Sequence, residues 1–385
     1  MVIVGGGVVG SASAYYLRKL GFSGSIAILD KDTTWQWGCT ARSVGGLRQQ
    51  FSTPENIALS TFGLGVVRGL RDEFGPEADV SFREQGYLIL ASEAGLPILE
   101  ENHRIQIAHG ADNALLRGTE LSERFAWLVA DGLAAGCFGL SGEGWVDPYL
   151  LAALFRKAAM ARGVELIQAE VTEVSRKGPR IAAIGLSSGE AMGCGVLVNA
   201  AGTGAGQLAA MAGIDLPVSP RKRYVYVLDC PAATEALHRA PLTVEPGGVY
   251  FRPEGRNFLC GLSPDAQDEP QVFDWEVDYS WFEERIWPVL AERVPLFEAV
   301  KVISAWTGHY DYNALDQNAV IGPHPEIGNF LFANGYSGHG LQQGPASGNA
   351  IAELIVHGGY RTIDLTRFGY ERILRNAPLF EKNVI

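Results

Sequence analysis

The first thirty residues alternate between short apolar runs and turns. Residues 2–4 form a β-branched apolar run, and residues 8–20 carry apolar side chains at helical spacing. Three glycines separate these two runs, and a second apolar run over 26–29 ends at Asp30. This order of elements predicts a strand, a helix and a second strand, which together make a βαβ unit.

Two later blocks repeat the α/β pattern. In the first block we predict a helix over 148–162, with Asp147 as its N-cap, and buried strands over 164–169, 171–175 and 196–198. In the second block we predict a strand over 329–333, a loop over 335–340 and a helix from about Ala346 to His357. Both blocks therefore extend the amino-terminal unit.

The segments between these blocks have a different texture. Aromatic and β-branched residues mix with polar ones around turns at 82–91, 223–229, 248–262 and 300–312, as in antiparallel strands. The predicted fold class is α/β plus α+β. A Rossmann-like nucleotide-binding domain is built from 1–78, 145–215 and 318–385, and a largely antiparallel substrate domain, 79–144 and 216–317, is inserted into it.

Composition excludes several classes of protein. Lys plus Arg number 31 and Asp plus Glu number 43, so the net charge of −12 disfavours nucleic-acid binding. No uninterrupted apolar run is long enough to span a membrane, and no secretory signal pattern is present, so we expect a cytoplasmic protein. The cysteines are isolated in sequence and have no metal-ligand spacing, so neither a disulfide framework nor a metal site is expected: Cys39, Cys137, Cys194, Cys230 and Cys260.

A glycine motif follows the first predicted strand. Gly5, Gly7 and Gly10 have the GxGxxG spacing, and Asp30 lies twenty residues further on, at the end of the second strand. The glycines allow a tight turn, close approach of a pyrophosphate and close packing of helix on strand, and the acid can bind ribose hydroxyls. The candidate cofactor residues here are Gly5, Gly7, Val8, Val9, Gly10, Asp30 and Lys31.

The acid at position 30 favours an unphosphorylated ribose, and hence FAD or NAD. Glycine loops recur at Gly202 and Gly335, after later strands of the nucleotide-binding domain. Because an elongated cofactor needs more contacts, this recurrence favours FAD. An NAD-dependent dehydrogenase remains the alternative.

The sequence resembles the D-amino-acid-oxidase-like flavoenzymes, which include glycine oxidase, sarcosine oxidase and dimethylglycine dehydrogenase. The resemblance covers nearly the whole chain in pieces: 2–10, 40–48, 198–202, 335–340 and the helix that follows. The Ser337-Gly338-His339-Gly340 loop is its most specific part. Within the family, residues 44–57 are similar to a branch that contains a mitochondrial respiratory-complex assembly factor, so a flavin-holding scaffold protein is a second hypothesis.

The resemblance implies where FAD binds. Val171 is implied to contact adenine, and the remaining implied cofactor residues are Arg42, Ser43, Gly45, Gly46, Ala201, Gly202, Gly338, His339, Gly340, Leu341 and Gln342. Relatives with covalent flavin carry a cysteine near Gly308 or a histidine near Ser43. This chain has neither, so we expect FAD to be held non-covalently.

The family activity is oxidation of a small amino acid, N-substituted amino acid or related amine to an imine by hydride transfer to flavin. Arg48 is the candidate for binding a substrate carboxylate, because its guanidinium fork matches that group. Tyr250 and Tyr310 are candidates for the pocket wall, and His309 is a candidate proton acceptor. For His339 a structural role is favoured over direct proton transfer.

Several positions depart from the relatives. Glycine-oxidase-like enzymes place an arginine at Tyr310, and sarcosine-oxidase-like enzymes place a lysine at Gln342, so the substrate cannot be copied from either. The stretch 257–262 lacks the lysine that sarcosine-oxidase-like relatives provide for oxygen. We therefore expect a dehydrogenase preference, with the electron acceptor unknown.

Overall fold

The computed structural model describes residues 1–264, 269 and 273–382. Its strands are β1 (Val2–Val4), β2 (Ala27–Asp30), β3 (Gly46–Leu47), β4 (Tyr87–Ala91), β5 (Asn113–Arg117), β6 (Ala135–Gly139), β7 (Gly144–Trp145), β8 (Glu165–Gln168), β9 (Val171–Lys177), β10 (Arg180–Leu186), β11 (Ala191–Gly193), β12 (Leu197–Asn199), β13 (Val218–Asp229), β14 (Leu242–Val244), β15 (Tyr250–Glu254), β16 (Asn257–Gly261), β17 (Lys301–Asn313), β18 (Val320–Pro323) and β19 (Phe330–Asn334).

The α-helices are α1 (Val8–Lys19), α2 (Pro54–Arg68), α3 (Leu70–Phe74), α4 (Leu96–Ala108), α5 (Thr119–Arg124), α6 (Pro148–Met160), α7 (Ala205–Met211), α8 (Glu235–His238), α9 (Tyr279–Trp281), α10 (Trp287–Arg293), α11 (Gly340–His357) and α12 (Glu371–Leu374). Short 3₁₀ segments cover Gly202–Gly204, Pro295–Ala299 and Thr366–Phe368, and a π-helical turn covers Phe282–Ile286. In the described ranges, no helix is both long and apolar enough to cross a bilayer.

A six-stranded sheet carries the nucleotide-binding half of the molecule. Its order is β18-β19-β12-β1-β2-β8, and every neighbouring pair is parallel except β18 and β19. Successive side chains point to opposite faces of a strand. Ile3 accordingly packs with α1, α6 and α11, while Val2 packs with the three-stranded sheet β11-β10-β9 and α7. This three-layer arrangement confirms the predicted Rossmann-like fold.

An eight-stranded sheet carries the other half. Its order is β17-β13-β16-β15-β14-β4-β6-β5, and its pairs are antiparallel except β14 with β4. Strands from 87–139 and from 218–313 thus join one sheet, although they lie far apart in sequence. Phe251, Phe258 and Phe297 are the centre of its core, with ring centroids 5.1 Å apart in two pairs. The prediction of a largely antiparallel sheet is confirmed.

The last long helix begins earlier than predicted. We expected a loop over 335–340 and a helix from about Ala346, but α11 begins at Gly340 and contains Pro345. Glycine and proline disfavour helix locally, and packing overrides that preference. A Cβ at Gly344 would lie 2.9 Å from Val8, and a Cβ at Gly348 would lie 2.6 Å from the Ala12 backbone, so these glycines allow α11 to approach α1 closely.

Substituting Gly348 should test this approach. Gly348→Ala should destabilise the protein by on the order of 1–3 kcal/mol, because α1 and α11 must separate. Gly65 lies in α2 with open space around its Cβ position, so Gly65→Ala is the matched control and should stabilise by about 0.5–1 kcal/mol. Urea unfolding of both variants measures the difference, and a Gly348→Ala protein as stable as wild type would contradict the packing argument.

Candidate active site

A large cleft lies at the carboxyl ends of the parallel strands. It has a volume of about 280 Å³ and reaches from the turn between β1 and α1 to strands β15 and β17 of the other sheet. Ligands bind at this edge in open α/β sheets, because the strands end there and helices begin. The cleft therefore joins the predicted nucleotide site to the predicted substrate domain.

Two of the motif glycines are required by backbone packing. Gly5 has φ +103°, and a Cβ there would lie 2.0 Å from the Ala200 carbonyl oxygen. A Cβ at Gly10 would lie 1.9 Å from the carbonyl oxygen of Gly5. Gly7 borders the cleft, where the Val8 N–H donates to the Thr40 hydroxyl at 3.2 Å. The turn thus presents backbone N–H groups of a helix start to the cleft, as a pyrophosphate requires.

Asp30 fixes the same turn from the end of β2. Its carboxylate accepts hydrogen bonds from the Gly6 N–H at 2.7 Å and from the Asp32 N–H at 2.9 Å. Burial raises the pKa of Asp30, and the two backbone donors oppose that rise. The carboxylate also borders the cleft, so it is placed to accept from a ribose hydroxyl.

Most of the predicted cofactor residues line this cleft. They are Gly5, Gly7, Val8, Val9, Asp30, Lys31, Arg42, Ser43, Val171, Ala201, Gly202, Gly338, Gly340 and Leu341. Gly46, His339 and Gln342 lie deeper, in an adjoining chamber. Gly10 and Gly45 line neither the cleft nor the adjoining chamber. Gly45 has φ +81° and packs on the Val146 carbonyl, where a Cβ would lie 2.1 Å away.

The inner chamber adjoins the cleft at Tyr250 and Tyr310, which line both spaces. Its volume is about 80 Å³. Sequence reasoning missed part of its wall, namely Tyr87, Leu242, Val244, Ser263 and Ser337. Gly46 makes room for one of these residues, because a Cβ at Gly46 would lie 1.8 Å from the Tyr87 hydroxyl.

Arg48 is the charged group of the chamber. Its side chain is 3% exposed, its Nη2 lies 3.1 Å from His339 Nε2, and its backbone N–H donates to Gln342 Oε1 at 2.8 Å. The guanidinium lies over the Phe51 ring, 4.6 Å from the centroid. Among the described residues, Nη1 has no hydrogen-bond partner. Burial lowers the pKa of Arg48, but arginine stays protonated at neutral pH.

His339 is neutral, and its ring accepts a hydrogen bond from Arg48. The guanidinium can only donate, so His339 Nε2 accepts and the ring proton sits on Nδ1. Burial, and then the charge of Arg48, lowers the pKa of His339 to about 3. The ring also meets Phe51 edge to face at 5.1 Å. These contacts favour the structural role for His339.

His309 lies in the outer cleft. It is 6% exposed, meets the Trp275 ring edge to face at 4.5 Å, and its Nε2 has no partner among the described residues. Burial lowers the pKa of His309, and the charges of Lys222, Arg42 and Arg223 lower it further. Asp274 opposes this lowering, and the net effect favours the neutral imidazole, whose Nε2 could accept a proton.

Arg42 joins the two halves of the cleft. Its guanidinium lies against the rings of both Trp37 and Trp275, 4.7 and 4.6 Å from their centroids, and the two rings contact each other at 4.7 Å. It donates to the carbonyl oxygens of Gln36 at 2.8 Å and Thr307 at 2.6 Å. Neither tryptophan was singled out from the sequence, because their pairing depends on segments more than two hundred residues apart.

Comparison with known proteins agrees with this geometry. The family model described as FAD dependent oxidoreductase matches residues 1–354. The chain is 40% identical to FAD-dependent oxidoreductase domain-containing protein 1 of Xenopus laevis, over 100% of this chain and 84% of that protein.

Two solved structures share the fold. L-proline dehydrogenase from P. horikoshii is similar with a TM-score of 0.87 at 24% identity, covering 98% of each chain. Glycine oxidase from Geobacillus kaustophilus is similar with a TM-score of 0.81 at 24% identity, covering 96% of this chain and 97% of that one. At this identity the likeness concerns the fold alone.

The neutral state of His339 predicts a pH dependence of stability. The unfolded pKa is about 6.5, so between pH 6.5 and 3 the unfolded chain binds the extra proton and stability falls as pH falls. The cost at pH 5 relative to pH 7 is about 2 kcal/mol. His339→Asn, whose amide oxygen can accept from Arg48, should lose about 2 kcal/mol less than wild type over that range.

Urea unfolding at pH 7 and pH 5 measures this difference. Exposed His357 provides the matched control, since His357→Asn should keep the wild-type pH dependence. Equal pH dependence in wild type and His339→Asn would show that folding leaves the pKa of His339 unchanged, which would contradict the neutral, buried imidazole.

Proposed function

Because the chain belongs to the family of FAD-dependent oxidoreductases, we propose that it oxidises a small amino acid, N-substituted amino acid or related carboxylate-bearing amine to an imine. Its cofactor is FAD, held non-covalently. The NAD-dependent alternative is excluded by the family assignment. Beyond the family assignment, we propose the class of substrate, the type of electron acceptor and the roles of individual residues.

The unpartnered Nη1 of Arg48 carries the proposal. A buried guanidinium is costly unless its hydrogen bonds are satisfied, and a carboxylate satisfies them best through two parallel bonds. Arg48 lines a chamber of about 80 Å³ that adjoins the larger cleft, so a small ligand would approach the guanidinium from there.

The residues present fit FAD. The turn at Gly5 to Val9 would hold the pyrophosphate, Asp30 the ribose, and the backbone of Val171 the adenine, since all of them line one cleft. Gly338, Gly340 and Leu341 would face the ring where this cleft meets the inner chamber. When bound, FAD supplies the acceptor for the hydride on the carbon next to the amine nitrogen.

The chain's own residues would place the substrate and keep water out. Tyr87, Tyr250 and Tyr310 surround the space next to Arg48. Burial raises the pKa of Tyr87 and of Tyr250, so both phenols stay neutral and do not compete for the guanidinium. Orientation and desolvation of this kind supply much of the rate in hydride transfer.

Hydride transfer needs a neutral amine, so a proton must leave the substrate ammonium. His309 is the proposed acceptor, because it is neutral and has a free Nε2 at the cleft. His339 is not proposed, because its Nε2 already accepts from Arg48. The acceptor at His309 lies outside the inner chamber, so the proton would pass through the cleft.

The scaffold hypothesis rested on residues 44–57. In the structure Gln49, Gln50 and Phe51 are 1–4% exposed and face the interior. Gln50 donates to Glu143 and the Phe51 ring lies against Arg48, so these side chains support the guanidinium. Because they are buried, these three side chains are not themselves a surface for an assembly partner.

An amine screen with an Arg48 variant tests the proposal. Arg48→Gln should retain FAD yet lower kcat/KM for carboxylate-bearing amines by about 30- to 5,000-fold, corresponding to about 2–5 kcal/mol for a lost buried charge partner. The same variant should change the turnover of amines that lack a carboxylate far less. Anaerobic bleaching of the flavin by each amine is the first measurement, followed by steady-state kinetics.

Arg68 provides the matched control, because its pair with Glu84 at 2.6 Å is exposed and neither residue lines the chamber. Arg68→Gln should behave as wild type. Wild-type kinetics in Arg48→Gln would remove Arg48 from the substrate site, and loss of FAD would make it a cofactor residue.

We also propose a dehydrogenase preference. Strand β16 carries no lysine, and Arg252 on β15 is bound to the Val44 carbonyl oxygen at 3.0 Å and to Glu254. Turnover of a good substrate should therefore be at least about tenfold faster with an artificial dye than in air-saturated buffer, because a cation near the reduced ring promotes its reaction with oxygen. Parallel dye-reduction and oxygen-electrode assays measure this, and equal rates would contradict it.

A further inference from the structure

A carboxylate from the last described segment is buried at the start of α2. Glu381 is 7% exposed and accepts five hydrogen bonds. The donors are the N–H (2.5 Å) and hydroxyl (2.6 Å) of Ser52, the N–H (3.1 Å) and hydroxyl of Thr53, and the Asn56 side-chain amide (2.5 Å). Because every donor comes from the short segment 52–56, this one carboxylate fixes the whole segment.

This segment continues directly into the substrate site. Ser52 follows Phe51, whose ring lies under the Arg48 guanidinium and against His339. Asn56 also accepts from Gln343 at 2.9 Å, and the neighbouring Gln342 accepts from the Arg48 N–H. Through Ser52, Glu381 therefore holds the Phe51 ring that lies under Arg48. Through Asn56 it also contacts Gln343 of α11, whose neighbour Gln342 binds the Arg48 backbone N–H.

Glu381 is itself held in place from the core. The Leu379 N–H donates to Asp316 at 2.9 Å, and the Asn318 amide donates to the Leu379 carbonyl oxygen at 2.5 Å. Asp316 is in turn paired with Arg372 at 2.8 Å, with both side chains buried. The position of the Glu381 carboxylate is thus set before any ligand binds.

We propose that Glu381 is a positioning residue for Arg48: by fixing Ser52, Thr53 and Asn56 it sets the Phe51 ring on which the substrate-binding guanidinium lies. This inference rests on the proposed function of Arg48. Glu381 acts without touching the guanidinium, so Nη1 stays available to a ligand. Its negative charge also favours the charged form of Arg48, as does that of Glu143.

Ligand binding to the FAD-loaded protein tests the inference. The probes are propionate and its neutral isostere propionamide, followed through the flavin absorbance. Wild type should bind propionate more tightly, and Arg48→Gln should lose that preference. Glu381→Gln should retain FAD and propionamide binding while propionate binding weakens about 5- to 30-fold, because the ring and guanidinium are no longer held in register.

Lys382 provides the matched control on the same segment. In the part of the chain that the structure describes, its side chain pairs with half-exposed Glu101 at 2.6 Å and with no residue of the site, so Lys382→Ala should bind both probes as wild type does. If Glu381→Gln does not fold, Ser52→Ala removes one donor to the carboxylate and should show a smaller loss in the same direction.

The outcomes separate the two proposals. A wild type that prefers propionate while Glu381→Gln keeps the full preference would overturn the inference alone. Equal weakening of both probes would also overturn it, since that is the result of a merely structural role. A wild type that binds the two probes equally would overturn the proposed function, and the inference with it.

Discussion

The proposed substrate half of the site depends on one constraint, a positive charge that is buried and only partly satisfied. Arg48 is 3% exposed, and its neighbours are a neutral imidazole, an aromatic ring and phenols in place of a carboxylate. A direct ion pair would have quenched its affinity for an anion. The surrounding chain instead keeps the guanidinium in place through weaker contacts, and leaves one nitrogen for a ligand.

Two buried carboxylates stabilise the positive charge of Arg48 without forming an ion pair with it. Glu143 accepts from the Gln49 N–H at 2.6 Å and from the Gln50 amide at 2.7 Å, and Glu381 accepts from Ser52 and Thr53. Both bind the backbone of the loop on which Arg48 stands, and both charges favour the charged guanidinium. Burial raises the pKa of Glu143 to about 7, so the charge it contributes depends on pH near neutrality.

Sequence patterns predicted the features that local chemistry determines. The βαβ start, the N-cap at Asp147, whose side chain accepts from the Leu150 N–H, and the cleft-lining turn at Gly5 and Gly7 all follow from periodicity and spacing. Features that depend on tertiary packing were missed. Helix α11 begins at Gly340 because its glycines fit against α1, and Tyr87 reaches Arg48 only because strand β4 joins the distant β14.

The same difference between local pattern and tertiary packing applies to residues 44–57. Their sequence suggested a scaffold protein, whereas their position in the structure is beside the proposed substrate site. A run such as Gln49-Gln50-Phe51 has no amphipathic period that would fix which way it faces, so sequence leaves its side chains unassigned. All three side chains are buried, and two of them connect Glu143 to Arg48: the Gln50 amide donates to Glu143, and the Phe51 ring lies against the guanidinium. Because a buried carboxylate and a buried guanidinium both need polar or polarisable neighbours, the charge of Arg48 accounts for the presence of Gln50 and Phe51 in the interior.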